Sequence, residues 1–284
     1  MPPPPPPANP CFEDALYNAD FYDGQSPGSI GSAKAVLPEV LAILPKVESA
    51  VDFGCGVGGW LAVLKELGVA SINGYDGDWV DVNKLKIPKE CFFPADLTQK
   101  IDVQRKYDLA MSLEVAEHLP ESAAGGFVES IVQASDFVLF SAAIPLQGGT
   151  NHINEQWPDY WARLFRKNNY IPVDVLRNIF WNDDRIEVWY RQNLMLFVNE
   201  KRLTDIKFVQ EDKLKNNNQL SLVHPQMYIW RTGMEFHAYK IRLKELYKIS
   251  LKRTVKLILG QKLCAIIRNQ IYNTQLNKKR KKIP

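Results

Sequence analysis

The stretch Val51-Asp52-Phe53-Gly54-Cys55-Gly56-Val57-Gly58-Gly59-Trp60-Leu61 decides how this chain is read. Residues 50–53 have the length and composition of a buried strand, and a glycine cluster ends it. Gly54, Gly56, Gly58 and Gly59 put four glycines into six residues, more than a plain strand-to-helix turn needs. Without a Cβ, glycine lets the turn be tight and lets a ligand approach the backbone. The spacing matches G-x-G-x-x-G, by itself a weak dinucleotide signal. Residues 59–67 read as the helix that follows, with Gly68 just past its end as a C-cap.

Working outward, residues 33–47 carry apolar side chains at helical spacing. Residues 70–75, 91–94, 107–113 and 137–143 read as further strands, and 126–134 and 157–167 as helices. Residues 187–190 and 193–198 are expected to form a late strand pair. Apolar strands alternating with helices predict an α/β fold around a parallel sheet covered on both faces. In open sheets of this kind ligands bind beyond the carboxyl ends of the strands.

Three acids fall at those ends. Asp52 enters the glycine loop, Asp76 follows the second strand 22 residues after Gly54, and Asp96 follows the third. A nicotinamide dinucleotide would bring its diphosphate against Asp52 and be repelled. S-adenosylmethionine has no phosphate; it carries a sulfonium, an ammonium, a ribose diol and an adenine amine, all seeking acceptors. Asp52 then suits the methionine end, Asp76 the ribose hydroxyls and Asp96 the adenine amine. Asp96 also reads as an aspartate capping its own loop.

The segments VDFGCGVGGWL, GYDGD, PADLT and YDLAMSLEVAEHLP resemble the class I S-adenosylmethionine-dependent methyltransferases over about residues 33–199. The resemblance implies a Rossmann-like seven-stranded mixed sheet with helices on both faces. It also places Gly54, Gly56, Gly58 and Glu114 with the three aspartates around the donor. The segment GGTNHINEQWPDYWARLF resembles methyltransferases of bacterial surface-polysaccharide and glycan pathways. It implies O-methylation of a sugar or glycan intermediate.

After the fourth strand, Glu114, Glu117 and His118 form E-x-x-E-H. His118 is the candidate general base, because imidazole titrates near neutral pH. Glu117 and His152, the latter in a polar loop after the fifth strand, complete the candidate catalytic set. The same motif resembles metal-dependent O-methyltransferases of the ubiquinone pathway and of small-RNA 3′ ends. That resemblance implies that Glu114, Glu117, His118 and His152 hold a divalent metal, and that the acceptor is an RNA 2′-hydroxyl. The bland reading has the glutamates capping the helix that opens there. A non-catalytic module that binds S-adenosylmethionine or a nucleotide is the remaining alternative.

Composition sets the outer bounds. Of 284 residues, 46% are apolar and 24% charged, which excludes a wholly disordered chain or a small disulfide-stapled scaffold. Net charge is +3, but residues 240–284 hold 14 Lys and Arg against one acid, leaving an acidic body. The expected organisation is a proline-rich leader and N-terminal segment (1–32), the methyltransferase domain (33–199), a linker (200–229) and a basic amphipathic helical tail (230–284). The tail suits an anionic membrane surface, nucleic acid phosphates less well, or packing on its own domain. Residues 1–10 lack the features of a signal peptide. Four cysteines without C-x-x-C spacing suggest neither zinc nor disulfides. The expected location is cytoplasmic, with peripheral contact at the inner membrane face.

Overall fold

A computed structural model describes residues 19–207 and 219–233, and beyond these 240, 242, 244, 246–249, 260 and 266–271. Expectations that fall on 1–18 and 208–218 lie outside the described residues. The chain divides into two compact units, 1–228 and 229–284.

In the first unit seven strands form one sheet: β1 (Ser49–Phe53), β2 (Ser71–Asp76), β3 (Phe92–Pro94), β4 (Leu109–Leu113), β5 (Phe137–Ser141), β6 (Tyr170–Val173) and β7 (Met195–Asn199). Their order is β3-β2-β1-β4-β5-β7-β6. The first five are mutually parallel, and β7 is antiparallel to both β5 and β6. The sheet is therefore mixed and seven-stranded, as the family resemblance implies. Chain order reverses between β1 and β4, which opens a crevice at their carboxyl ends.

Side-chain alternation separates two cores. On one face Ala50, Leu109, Met111, Leu139 and Val198 pack with helices α1 (Ala19–Ile43) and α2 (Gly59–Glu66). On the other, Val51, Phe53, Val138, Phe140 and Phe197 pack with α3 (Ala124–Ala134) and α4 (Pro158–Lys167). Phe165 of α4 stacks on Phe197 with ring centroids 3.9 Å apart. Two shorter helices, α5 (Leu176–Phe180) and α6 (Val188–Asn193), cover the first face near β7.

Three local expectations are corrected. Helix α1 begins at Ala19, inside the stretch read as a leader, and ends at Ile43 rather than residue 47. Residues 188–190 open helix α6 instead of a strand. Besides β5, β7 pairs with β6, whose Tyr170-Ile171-Pro172-Val173 is short and contains proline. Its edge position tolerates a residue without an N–H.

Residues 200–206 and 219–228 belong to the first unit and bury Leu203, Ile206, Leu220 and Met227. Buried Arg177 makes this possible. Its Nε donates to Asp174 Oδ1 at 2.7 Å, and its Nη1 donates to the Leu220 carbonyl at 2.7 Å. In the second unit the described positions are helical, with Leu246, Tyr247, Ile249, Ile266, Ile267 and Ile271 exposed. Among the described residues no helix is long and apolar enough to cross a membrane.

Arg177→Ala leaves the Asp174 carboxylate uncompensated and frees the 219–228 segment. A loss of about 3–5 kcal/mol is expected for breaking such a pair, read as a lower urea midpoint. An unchanged midpoint would show that Arg177 does not anchor this segment.

Candidate active site

The glycine loop is tied to the strand beside it. Gly54 and Gly58 have φ of 86° and 81°, left-handed values that side-chain-bearing residues resist. At Gly54 space is decisive as well: a Cβ there would lie 2.3 Å from Val115 Cγ2. The residues after β4 therefore press directly on the loop after β1. Gly56 N–H donates to Asp76 Oδ2 at 2.6 Å, and Gly77 N–H donates to Asp76 Oδ1 at 2.7 Å.

Asp52 and Asp76 are both buried. Burial first, and the Asp76 charge second, push the Asp52 carboxyl up to about 7. Burial pushes Asp76 up to about 6, with the Gly56 and Gly77 amides pulling the other way. Asp52 Oδ1 has no hydrogen-bond partner. An unpartnered acceptor at this depth is costly unless a ligand supplies a donor or a positive charge. Asp96 sits apart in character. It is exposed at the end of β3, and its Oδ1 accepts from Thr98 N–H at 2.9 Å and Thr98 Oγ1 at 2.7 Å. Those bonds stay within its own turn.

Beyond β4 the motif residues divide. Glu114 has φ 54°, in the left-handed region uncommon for a residue with a side chain. Its carboxylate accepts from Gln147 Nε2 at 2.9 Å and Asn193 Nδ2 at 3.1 Å. Glu117 is fully buried, and neither carboxylate oxygen makes a well-formed hydrogen bond. Burial, then the Glu114 charge, raises its pKa well above the usual carboxylate range; its own amide and that of Ala143 only soften this. Burial and the neighbouring His152 lower His118 to about 4, so its imidazole is neutral at physiological pH.

The ligating atoms of Glu117, His118 and His152 all lie within 4.8 Å of one another. The two imidazoles meet edge to face, with ring centroids 4.8 Å apart. His152 Nδ1 pairs with Glu155 Oε1 at 3.0 Å. Glu155 is itself fixed by the amides of Leu146 at 2.7 Å and Gly148 at 2.6 Å. A histidine held this way at Nδ1 offers Nε2 to a ligand. The donor set of one carboxylate and two imidazoles fits Mn²⁺, Fe²⁺ or Zn²⁺ better than Mg²⁺. The structure thus brings three of the four candidate ligands together, while the Glu114 carboxylate is taken up by amide donors.

Sequence reasoning missed Glu155, Asn193 and Gln192. A signal for Glu155 existed in its three-residue separation from His152. Asn193 had none, since it meets Glu114 from 79 residues away. Trp157, just before helix α4, is 42% exposed, whereas Trp161 is buried.

A methyltransferase-domain family matches residues 30–184, more than half of the 284. Among solved structures, the chain is similar to DesVI of Streptomyces venezuelae, at 18% identity over 46% of this chain and TM-score 0.39; it spans 60% of that chain. It is similar to the methyltransferase domain of bacterial CtHen1-C, at 20% identity over 60% of this chain and 96% of that one, TM-score 0.44. It is also similar to magnesium protoporphyrin IX methyltransferase ChlM from Synechocystis PCC 6803 with bound SAM, at 16% identity over 69% and 100%, TM-score 0.49. No curated protein matches the chain. The chain belongs to the methyltransferase-domain family. It is a class I S-adenosylmethionine-dependent methyltransferase, an enzyme whose methyl donor is S-adenosylmethionine.

The raised acids give a pH signature. Asp52 binds more protons folded than unfolded, because its folded value of about 7 exceeds 3.8. Stability of the ligand-free chain therefore falls as pH rises from about 4 to about 7. Asp52→Asn should flatten that decline in thermal unfolding between pH 4.5 and 7.5. Parallel declines in both proteins would mean that Asp52 is not held protonated by burial.

Proposed function

We propose that this enzyme methylates a sugar hydroxyl, with a glycan intermediate as acceptor. The observation that carries this reading is the buried, unpartnered Glu117 carboxylate beside two imidazoles, His118 and His152. Such a group is stable when a cation balances it. Glu117, His118 and His152 would hold a divalent ion there. When bound, that ion supplies positive charge that lowers the pKa of an acceptor hydroxyl. His118, lowered to about 4, is a weak base whose lone pair stays unprotonated at physiological pH, so we assign it to holding rather than to proton removal.

Asp76 keeps unused lone pairs for the ribose hydroxyls after accepting two amides. Asp52 and Glu114 face the cationic methionine end, the loop of Gly54, Gly56 and Gly58 admits the donor's backbone approach, and Asp96 takes the adenine amine. The hydroxyl oxygen bonds to the methyl carbon as the carbon–sulfur bond breaks. Sulfur keeps the electron pair, and the hydroxyl proton is released to water. Holding oxygen, carbon and sulfur in line is the chief contribution of the protein. For the acceptor, the exposed Trp157 ring offers a flat apolar face to a sugar, and buried Asn154 Nδ2 lacks an acceptor.

An RNA ribose 2′-hydroxyl is the second reading, favoured by the positive charge of residues 240–284. For that segment itself we propose contact with anionic membrane surfaces. Its described apolar side chains are exposed among Lys240, Arg242, Lys244, Lys248 and Arg268. Each basic residue at such a surface is worth about 1 kcal/mol.

Two experiments test these readings. Purified chain incubated with labelled S-adenosylmethionine should label extracted glycans, lose activity with chelator and regain it with Mn²⁺. Glu117→Gln should weaken Mn²⁺ binding in equilibrium dialysis at least tenfold. Label in RNA instead would promote the second reading, and chelator-resistant turnover would return His118 to the role of base. In the second, the full chain should float with anionic vesicles and be released by salt, whereas a chain ending at residue 239 should not float. A full chain that stays with the soluble fraction would remove the membrane contact.

A further inference from the structure

The methyltransferase-domain match ends at residue 184, yet the buried polar groups that reach Glu114 come from beyond it. Asn193 and Gln192 close helix α6, and both side chains are buried. Asn193 Nδ2 donates to Glu114 Oε1 at 3.1 Å and to Gln147 Oε1 at 2.9 Å. Gln147 Nε2 donates to Glu114 Oε2 at 2.9 Å. Gln192 Nε2 donates to Gln147 Oε1 at 3.2 Å and to Asn193 Oδ1 at 3.0 Å, so it sets the orientation of both amides. Gln192 Oε1 in turn accepts the His224 N–H at 2.9 Å, and His224 Nε2 meets the Trp181 carbonyl at 2.7 Å. The network runs without a break from the 219–228 segment to the Glu114 carboxylate.

Two features make this more than packing. First, Asn193 and Gln147, the two amides that reach Glu114, both present an N–H to it, an arrangement that suits an acceptor carboxylate, and Gln192 orients these two. Burial holds the Glu114 carboxyl above its ordinary value, and hydrogen bonds from Asn193, Ser141 and Gln147 oppose that rise. Second, Glu114 precedes Val115, the residue that presses on Gly54 of the donor loop. Its strained backbone, at φ 54°, is kept where a relaxed one would turn the side chain elsewhere. A carboxylate held beside the glycine loop is useful to a ligand that carries a sulfonium and an ammonium.

We infer that Asn193 and Gln192 are positioning residues of the donor site, orienting the Glu114 carboxylate toward the cationic methionine end of S-adenosylmethionine. This rests on the donor placement given under Proposed function. The residues act through Glu114 and touch no reacting atom. Their effect should follow the part of the ligand that carries positive charge.

The test compares three ligands by isothermal titration on the full chain: S-adenosylmethionine, S-adenosylhomocysteine and 5′-methylthioadenosine. The last keeps ribose and adenine but lacks the amino-acid end and the sulfonium. Asn193→Ala should weaken S-adenosylmethionine at least tenfold and S-adenosylhomocysteine less, leaving methylthioadenosine within about twofold of wild type. Gln192→Leu, close in volume, should give the same order with a smaller loss. Asp76→Ala should weaken all three alike through the ribose. Equal losses for all three ligands in the Asn193 and Gln192 variants would overturn the inference, since a general disturbance of the pocket acts that way. Unchanged affinities in both variants would overturn it too, leaving the donor placement standing. Failure of Asp76→Ala to weaken any ligand would instead remove the donor placement and this inference with it.

Discussion

Two carboxylates buried side by side, Asp52 and Asp76, are the constraint around which the rest of the molecule is arranged. Each is raised in pKa by its surroundings, and Asp52 keeps an oxygen with no partner. A chain selected for stability alone would replace them with apolar residues. Keeping them makes sense when the missing charge arrives with a ligand. The sheet creates the place for this: chain order reverses between β1 and β4, so the carboxyl ends of β1 and β2 open on one crevice. The Gly56 amide bonded to Asp76 then ties the glycine loop to the end of β2.

The same physical problem recurs after β4 and is solved in two ways. Glu114 and Glu117 are three residues apart and both are raised by burial. Amide donors from distant segments satisfy Glu114. Glu117 receives no side-chain amide and faces two imidazoles, one of them braced by Glu155. Neighbouring acids with nearly the same sequence context thus acquire different chemistry. One suits a fixed charge near a cationic donor, and the other suits the coordination of a metal ion.

The alternation of apolar strands and helices, the glycine cluster and the acids at strand ends were all visible in the sequence. These are local patterns, and period and spacing carry them. The failures also have local causes. Residues 188–190 are continuously bulky and apolar, which fits a buried strand or a buried helix equally well. The β6 strand has four residues and a proline, too short for any periodicity to register. Asp96 caps its own turn through Oδ1, one of the two readings its position in the chain allowed.

By itself, then, the sequence determined the α/β class, the loop that admits a ligand and the sign of the charge around it. Each depends on residues close together in the chain, where steric freedom and alternation act directly. Tertiary structure alone decided which acids are satisfied. Glu114 meets Asn193 across 79 residues, and Gln192 meets His224 across 32. Hydrogen bonds of that reach depend on how helices dock on a finished sheet. No spacing along the chain encodes the docking, and it is the docking that separates the braced glutamate from the bare one.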